Sequence, residues 1–437
     1  MTLRALYLLG CDGLRGVRWW RWPVALVWAL RGWAGAEKHS AAALSGVEHL
    51  CRAIRLVPES RLARILETRV ARRLEGLKDS LNPVLFDARA ESRQLEKAVL
   101  LKPPVSEREP GVLYIAFEYQ WLRLLSLPSD LRENFARRYT LILAPSWSPP
   151  YSVFNFYFPE VWPVPVICQV SHELDSQWLP RLCSRYRVLP LMPSHWVNPE
   201  AFSPRPRQER DIDLVMVANF AVFKRHVALF HALRRLPRSW RVVLIGQREG
   251  GRTARDVMAE ASAFGVADRF TLRESVPHGE VCETLSRARA SVVLSRREGA
   301  CVVVAESLFA DTPVGLMEGA HIGSAQFLNE RTGRWLHQGR LAEDLQQLVE
   351  DSSAFSPRAW ALEAKISCQD SSQRLNEWLR NYALANGQEW TCDVAPLQWR
   401  PNPCLLRLAD QERLAPACAE LERIYGIRLP AQTGGGS

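Results

Sequence analysis

Between residues 211 and 351 the chain alternates between short apolar runs and amphipathic stretches, and this alternation constrains the fold more than any other feature. The apolar runs predict strands at DIDLVMVAN (211–219), RVVLIG (241–246), RFTLRES (269–275), SVVLS (291–295) and TPVGL (312–316). The stretches between and after them predict helices at 223–236, 254–265, 279–288, 301–310 and 340–351. Such alternation is typical of a doubly wound parallel α/β domain, which binds ligands at the carboxyl ends of its strands.

A second alternating region comes earlier in the chain. The runs GVLYIAF (111–117), YTLILAP (139–145), VPVICQVS (164–171) and RVLPLMPS (187–194) predict the strands of a smaller Rossmann-like domain over 106–205. The Pro-rich, polar stretch 195–210 predicts a linker, so the second domain is expected at 206–351. The remaining segments predict a basic, Trp-rich helical prefix over 1–105 and a helical tail with a flexible end over 352–437.

The start of the prefix is dense in Trp and Arg. The first 35 residues hold five of the sixteen tryptophans and five arginines against one acid, Asp12. Trp and Arg around a short apolar core are typical of a helix in a membrane interface, so residues 14–35 are compatible with an anionic membrane surface. A helix packed on the neighbouring domain explains the same residues equally well, and the sequence leaves both interpretations open.

Composition narrows the classes of function. The 437 residues are 47% hydrophobic and 24% charged, as expected for a globular protein of two or three domains. A net charge of +9 suits a phosphate-bearing ligand or anionic lipid, and no nucleic-acid-binding motif is present, so we expect no nucleic acid partner. The ten cysteines form no cluster with zinc spacing, so we expect reduced thiols and no metal site in a cytoplasmic protein, with peripheral membrane contact left open.

The stretch SRREGACVVVAES (295–307) places Glu298 and Glu306 at the two ends of an apolar run. Were 298–306 one helix, the two carboxyl groups would be separated by a rise of about 12 Å, too far for one proton transfer but suited to the two ends of an extended ligand. With Glu298 in a loop and a helix beginning near 300–302, free backbone N–H groups would form an anion site between the carboxylates. A ligand that fits this order has hydroxyl groups at both ends and phosphates between them. A nucleotide sugar has this order, with its ribose, diphosphate and hexose.

The motif and its surroundings resemble the retaining glycosyltransferases of family 4, which have the GT-B fold and a Glu-x7-Glu signature. The resemblance rests on SVVLS before Glu298, the glycine after it and DTPV (311–314) beyond Glu306, and it covers about 211–350. It implies an α/β protein with two Rossmann-like domains facing a cleft, the first for the acceptor and the second for the donor. It also implies that Glu306 holds the ribose hydroxyls, Glu298 holds the donor sugar, and the backbone of Gly299, Ala300, Cys301 and Val302 faces the diphosphate.

Further candidates lie in other loops after predicted strands. In NFAVFKRH (219–226) the resemblance assigns Lys224 to the diphosphate, whereas Asn219 stands where the family has an Arg. The missing charge would then come from Arg225 or Arg248. Gly246 ends a strand, where the missing side chain would let the backbone approach the diphosphate. His172 follows a strand of the first domain, where the resemblance implies a His near the donor sugar. The candidate catalytic residues are therefore Glu298, Lys224 and His172.

These features, together with the resemblance, which implies retention of configuration and no bound metal, predict a hexosyltransferase without a cofactor. It would move a sugar from a nucleotide-diphosphate sugar to a glycan or lipid-linked acceptor, in bacterial-type polysaccharide or glycolipid assembly, with electrostatic stabilisation of the leaving diphosphate. Two alternatives stay open. A nucleotide-sugar epimerase of the same fold would need acids in the first domain, such as Glu118 or Glu173, and a non-catalytic, membrane-associated scaffold that binds sugar nucleotides is compatible with Asn219.

Overall fold

The computed structural model describes residues 2–17, 19–34, 41–77 and 93–430. The chain forms two compact units. Among the described residues, the first unit combines those up to Val17 with Ser194–Cys368, and the second combines the intervening chain up to Pro193 with residues 369–430. The predicted division into four segments stays a prediction, but the observed units show that the start of the chain packs with its later part.

Four helices precede the first strand in the described part of the chain: α1 (Leu3–Gly16), α2 (Arg21–Ala34), α3 (Ala41–Leu56) and α4 (Arg61–Leu77). Helix α1 belongs to the first unit, because Ala5 is fully buried in that unit's hydrophobic core. Thr2 caps α1 by accepting from the N–H of Ala5 and donates its hydroxyl to the carbonyl of Ala263 at 2.9 Å. Helices α2 and α3 pack closely, since a Cβ on Gly32 would lie 2.6 Å from Leu50.

The second unit contains a five-stranded sheet with the order β1-β2-β3-β4-β5. Its strands are β1 (Ala98–Lys102), β2 (Gly111–Ala116), β3 (Tyr139–Ala144), β4 (Val166–Gln169) and β5 (Tyr186–Leu189). Strands β2 to β5 are parallel, whereas β1 pairs antiparallel with β2, so the predicted helical prefix ends in an edge strand. The connecting helices are α5 (Glu118–Trp121), α6 (Ser129–Arg138), α7 (Val153–Val161) and α8 (Asp175–Leu182).

The first unit contains a six-stranded parallel sheet with the order β11-β10-β9-β6-β7-β8. Its strands are β6 (Ile212–Val217), β7 (Val242–Gly246), β8 (Thr271–Glu274), β9 (Ala288–Val293), β10 (Val314–Met317) and β11 (Gly333–Leu336). The associated helices are α9 (His226–Leu233), α10 (Ala254–Phe264), α11 (His278–Arg287), α12 (Val303–Phe309), α13 (Leu341–Glu350) and α14 (Pro357–Glu363). The order of strand addition reverses between β6 and β9, the point at which such sheets form ligand crevices.

The C-terminal segment consists of α15 (Cys368–Ala385), the hairpin of β12 (Leu397–Trp399) and β13 (Pro403–Leu405), and α16 (Leu408–Tyr425). A buried ion pair connects this segment to the sheet of the second unit. Lys102 Nζ lies 2.6 Å from a carboxylate oxygen of Glu109. The carboxylate of Glu109 also accepts from the N–H and the hydroxyl of Thr391, both at 2.7 Å. Burial alone would raise the pKa of Glu109, but the bonds from Lys102 and Thr391 lower it to about 2. Glu109 is therefore a carboxylate that joins β1 to the C-terminal segment.

The predicted fold class is confirmed. Each unit is an α/β structure with a largely parallel sheet, and helical segments lie at both ends of the described chain. Within the described ranges, no helix combines the length and the apolar character needed to cross a membrane.

Candidate functional site

The carboxyl ends of β6 and β9 bring two of the predicted residues into contact. Lys224 lies in the turn after β6 and Glu298 in the loop after β9, and Lys224 Nζ donates to Glu298 Oε2 at 2.6 Å. Both side chains are largely buried, with 14% and 8% of their surface exposed. Burial would lower the pKa of Lys224, but the neighbouring Glu298 carboxylate and other groups raise it above its usual value. A charged pair therefore lies where the strand order reverses.

The loop that carries Glu298 is fixed by the segment after β10. The N–H of Glu298 donates to the carbonyl of His321 at 2.9 Å, and the N–H of Gly323 donates to the carbonyl of Gly299 at 2.8 Å. Ser295 donates its hydroxyl to Glu298 Oε1, while Lys224 occupies Oε2. Both carboxylate oxygens are thus hydrogen bonded, so the orientation of Glu298 is set by the protein itself.

Residues 299–302 lead from this loop into α12. The N–H of Ser324 donates to the carbonyl of Ala300 at 3.1 Å, and the hydroxyl of Ser324 donates to the carbonyl of Cys301 at 2.9 Å. Cys301 adopts a φ of 55°, so the chain turns here and α12 begins only at Val303. Helix α12 has seven residues, shorter than the predicted 301–310. The helix N-terminus therefore lies two residues later in the chain than the sequence predicted.

Glu306 lies in the first turn of α12, with 8% of the residue exposed. Its Oε1 is 2.9 Å from Nε2 of His278, the first residue of α11. A carboxylate only accepts hydrogen bonds, so His278 Nε2 is the donor in this contact. Nδ1 of the same ring lies 3.6 Å from Sγ of Cys282. Sequence reasoning missed His278, although its position just after β8, at the same sheet edge, was a usable signal.

Two of the other predicted residues after β6 and β7, Asn219 and Gly246, are held by contacts within these loops. Asn219 is half-buried, and its Oδ1 accepts from the N–H of Ala221 at 3.4 Å. A Cβ on Gly246 would lie 2.3 Å from the carbonyl oxygen of Ala218, so the packing of two adjacent loops already requires glycine there. Arg248 is exposed in the loop after β7.

Arg225, the other predicted cation, enters a buried cluster. Its guanidinium, on a residue 2% exposed, donates through Nε and Nη2 to the two carboxylate oxygens of Asp12 at 2.8 and 2.7 Å. Arg225 Nη1 donates to the carbonyl of Leu294 at 2.9 Å. Arg296 donates to the backbone carbonyl of Asp12 at 2.8 Å and to its carboxylate at 3.2 Å. Burial favours the neutral form of Asp12, but Arg225 and Arg296 outweigh it and lower its pKa.

This cluster connects α1 to both charged loops of the site. Asp12 on α1 binds Arg225, which directly follows Lys224, and Arg296, which lies two residues before Glu298. One carboxylate thus holds the two loops whose side chains form the ion pair. The predicted role of Arg225 at the diphosphate is untested, but the structure commits its guanidinium to Asp12, which leaves Arg248 as the exposed cation of the predicted set.

His172 lies in the second unit, in the turn between β4 and α8. The carboxylate of Asp175 accepts from the N–H groups of Ser171 and His172 at 2.8 and 2.9 Å, and the N–H of Leu174 donates to His172 Nδ1 at 3.1 Å. Burial lowers the pKa of His172, so the imidazole is neutral near pH 7 with Nδ1 as an acceptor. Its predicted role beside the donor sugar stays a prediction.

A search for metal-binding groups gave none: in the described ranges, no cluster of three or more His, Cys, Asp or Glu side chains could hold an ion.

Comparison with known proteins identifies one family over part of the chain. Residues 197–365, which contain Lys224, His278, Glu298 and Glu306, match the family described as Glycosyl transferases group 1. The match supports a glycosyltransferase. No curated protein matches the chain in sequence.

Several solved structures are similar to the chain. Sucrose-phosphate synthase from Thermosynechococcus elongatus shares 17% identity over 63% of this chain and 74% of that chain, with a TM-score of 0.49. Anabaena HepE in complex with UDP and glucose shares 13% identity over 61% of this chain and 75% of that chain, with a TM-score of 0.45. TarM, known from S. aureus, shares 11% identity over 58% of this chain, with a TM-score of 0.44, and this chain spans only 50% of TarM.

Replacement of Lys224 tests the charged pair. We expect Lys224→Ala to lower the turnover of a bound nucleotide-diphosphate sugar by about 10- to 150-fold, because a charge-assisted contact to phosphate contributes about 1.5–3 kcal/mol. Steady-state kinetics on the folded variant measure this. Arg238→Ala, which removes an 81% exposed cation from the same unit, is the matched control and should leave turnover unchanged. Unchanged turnover in a folded Lys224→Ala variant would remove Lys224 from the site.

Replacement of Asp12 tests whether α1 positions the two loops. Asp12→Asn leaves Arg225 and Arg296 without their carboxylate, so we expect the KM for the donor to rise by about tenfold or more, with partial rescue by Asp12→Glu. Thr2→Ala is the control, because it removes the contact of α1 with Ala263 and leaves the Arg cluster intact. Equal losses in Asp12→Asn and Thr2→Ala would show that α1 contributes only packing.

Proposed function

We propose that the protein is a glycosyltransferase that moves a hexosyl group from a nucleotide-diphosphate sugar to an acceptor hydroxyl with retention of configuration. The observation that carries the proposal is the Lys224–Glu298 ion pair, at the strand-order reversal of a region that matches the glycosyltransferase family. A buried cation next to a buried carboxylate suits a ligand that places a phosphate next to a hydroxyl-rich ring.

Four charged side chains of this edge have roles in the proposal. Lys224 stabilises the diphosphate as it leaves, and Arg248 adds positive charge from the exposed loop after β7. Glu298 accepts from hydroxyls of the transferred sugar, and Glu306, oriented by His278, accepts from the ribose hydroxyls. The acceptor hydroxyl attacks from the face that the diphosphate leaves, and a phosphate oxygen takes its proton. This chemistry requires neither a protein nucleophile nor a metal ion or other cofactor.

We also propose that the acceptor is a glycan or a lipid-linked glycan, and that the protein contacts an anionic membrane surface from the cytoplasmic side. Helix α2 supports this, because Leu30, at 70%, and four other large apolar side chains of the helix are exposed. Trp19, just before the helix, is 69% exposed. Arg21 and Arg31 accompany them, and residues 19–34 contain no acid. The charge of Asp12 is compensated by Arg225 and Arg296, which lie outside the prefix, so Asp12 does not offset the positive charge of the prefix.

The donor site is tested by thermal unfolding with UDP, GDP, ADP, CDP and dTDP, each alone and as common sugar conjugates. A nucleotide at 100 times its dissociation constant should stabilise the folded chain by about 2.7 kcal/mol. We expect one nucleotide series to stabilise the wild type and to stabilise Glu306→Ala much less, because the ribose loses its carboxylate.

Glu343→Ala is the control for this panel, since Glu343 is exposed on α13 of the same unit. Stabilisation by no nucleotide would contradict the proposed donor site. Formation of an epimer of the bound donor in the absence of acceptor would favour the epimerase, and binding with neither transfer nor slow hydrolysis would favour a scaffold.

The membrane contact is tested by co-sedimentation with vesicles of phosphatidylcholine and phosphatidylglycerol. We expect binding that falls with added salt, and that weakens in a Trp22→Ser, Leu30→Ser double variant, because both side chains are exposed on α2. Leu408→Ser removes an apolar side chain that is 67% exposed elsewhere in the second unit and is the matched control. Binding that is equal in all three proteins would exclude α2 as the contact surface.

A further inference from the structure

A cavity of about 140 Å³ lies between α1 and the start of α9 in the first unit. Arg252, just before α10, and Glu260, within α10, complete its walls. The side chains of Lys224, Glu298 and Glu306 lie outside this lining, so the cavity is separate from the proposed donor site. A cavity of about 150 Å³ holds a molecule the size of benzene, so a ligand enclosed here is a small ring or a short carbon chain.

One wall of the cavity holds a buried imidazole that the donor site does not use. His226, the first residue of α9, is 3% exposed, and its Nδ1 has no hydrogen-bond partner among the described residues. Burial, together with the positive charges of Arg252 and Lys224, lowers the pKa of His226 to about 4, so the ring is neutral at pH 7. A hydroxyl group both donates and accepts hydrogen bonds, so a ligand hydroxyl would satisfy Nδ1 in either tautomer of the ring.

The charges that line the cavity favour an anionic ligand. Glu260 forms a bidentate pair with Arg252 at 2.7 and 3.0 Å, and Asp12 is bound by two arginines of the neighbouring cluster. Both acids of the lining are therefore compensated. Arg15 also lines the cavity, is exposed and forms no ion pair with any described residue, so it adds an uncompensated positive charge. One anionic group beside Arg15 would compensate it.

The walls of the cavity also hold the loop that carries Lys224. Arg252 Nε donates to the carbonyl of Phe220 in this loop at 2.6 Å. Asp12 binds Arg225, which directly follows Lys224. Two residues of the lining thus fix the loop on either side of Lys224. A ligand that contacts these residues would favour one arrangement of the loop and, with it, one position of the ammonium group.

We propose that this cavity is a regulatory site for a small organic anion that carries a hydroxyl group, such as a hydroxy acid or the phosphate ester of a polyol. The hydroxyl group bonds to His226 Nδ1, and the anionic group lies beside Arg15. The bound anion joins α1 to the start of α9, stabilises the loop that carries Lys224 and thereby strengthens donor binding. This coupling rests on the proposed function, whereas the location and chemistry of the cavity do not.

The test uses isothermal titration calorimetry on the full chain with lactate, glycerate and glycerol 3-phosphate, and with glycerol and inorganic phosphate as partial ligands. We expect at least one of the three hydroxyl-bearing anions to bind, and the partial ligands to bind about tenfold more weakly or less. Arg15→Glu and His226→Phe should each weaken the binding of that anion by about tenfold or more. His226→Phe removes Nδ1 and keeps a ring in contact with Phe220 and Phe230. Arg15 is exposed, so Arg15→Glu tests the site even if His226→Phe fails to fold.

Two further variants serve as controls. Arg4→Glu reverses the charge of another exposed arginine of α1, outside the cavity lining, and should bind the anion as the wild type does. Lys224→Ala separates the cavity from the donor site, and we expect it to retain the anion. An anion that is lost in Lys224→Ala and retained in Arg15→Glu binds at the donor site, which would overturn the cavity proposal. A panel in which none of the three anions binds would overturn it as well.

Nucleotide binding to the same proteins reports on the proposed function. A saturating anion should lower the dissociation constant of the nucleotide by about fivefold or more, and the nucleotide should tighten anion binding by the same factor. An anion that binds in the cavity and leaves the affinity for the nucleotide unchanged would contradict the regulatory role. An anion that Arg15→Glu weakens, in a protein that binds no nucleotide, would uphold the cavity as a binding site and contradict the proposed donor site.

Discussion

The reversal of strand order between β6 and β9 determines where charge can gather in the first unit. In a parallel sheet all carboxyl ends share one edge, so each following loop delivers its residues to the same place. Lys224, Gly246, His278 and Glu298 follow four different strands and lie at this edge. Lys224 and Glu298 follow the two strands that flank the reversal, and they form the ion pair. The topology therefore explains why residues far apart in sequence form one site.

The buried charged side chains of this edge are held by partners within the protein. Leaving a buried ion without its partner costs about 3–5 kcal/mol, and Glu298 and Asp12 both have cationic partners: Lys224 for Glu298 and two arginines for Asp12. Glu306 is hydrogen bonded to His278. In the proposed reaction, a diphosphate at Lys224 replaces Oε2 of Glu298 as the ammonium's partner. That oxygen is then available to a sugar hydroxyl, while Ser295 still holds the other one. In this proposal, donor binding exchanges one set of hydrogen bonds for another, and both oxygens of Glu298 keep a donor.

The sequence predicted the features that depend on local pattern. Buried strands appeared as apolar runs, and the resemblance to a known family identified Lys224 and Glu298, which the structure places in contact. Partnerships across the chain could not be predicted, because nothing in the sequence links Asp12 to Arg225, 213 residues later. Strand β1 was hidden in an Arg-rich prefix, where a five-residue run gives too little periodicity for an assignment. Helix α12 is shorter than its apolar run because Cys301 takes a positive φ.

The Asp12 cluster also limits how the N-terminal region can meet a membrane. Undocking α1 would leave the buried Arg225 without its carboxylate, and this cost of about 3–5 kcal/mol adds to the loss of the packing around Ala5. Helix α1 therefore stays on the first unit, and only its outer face, with Leu3 at 86% and Tyr7 at 70% exposure, is open to a lipid surface. The exposed side chains of α2 likewise belong to a helix packed on α3. In the proposed membrane contact, lipid therefore meets surfaces of folded units, and detachment of α1 would carry this energetic cost.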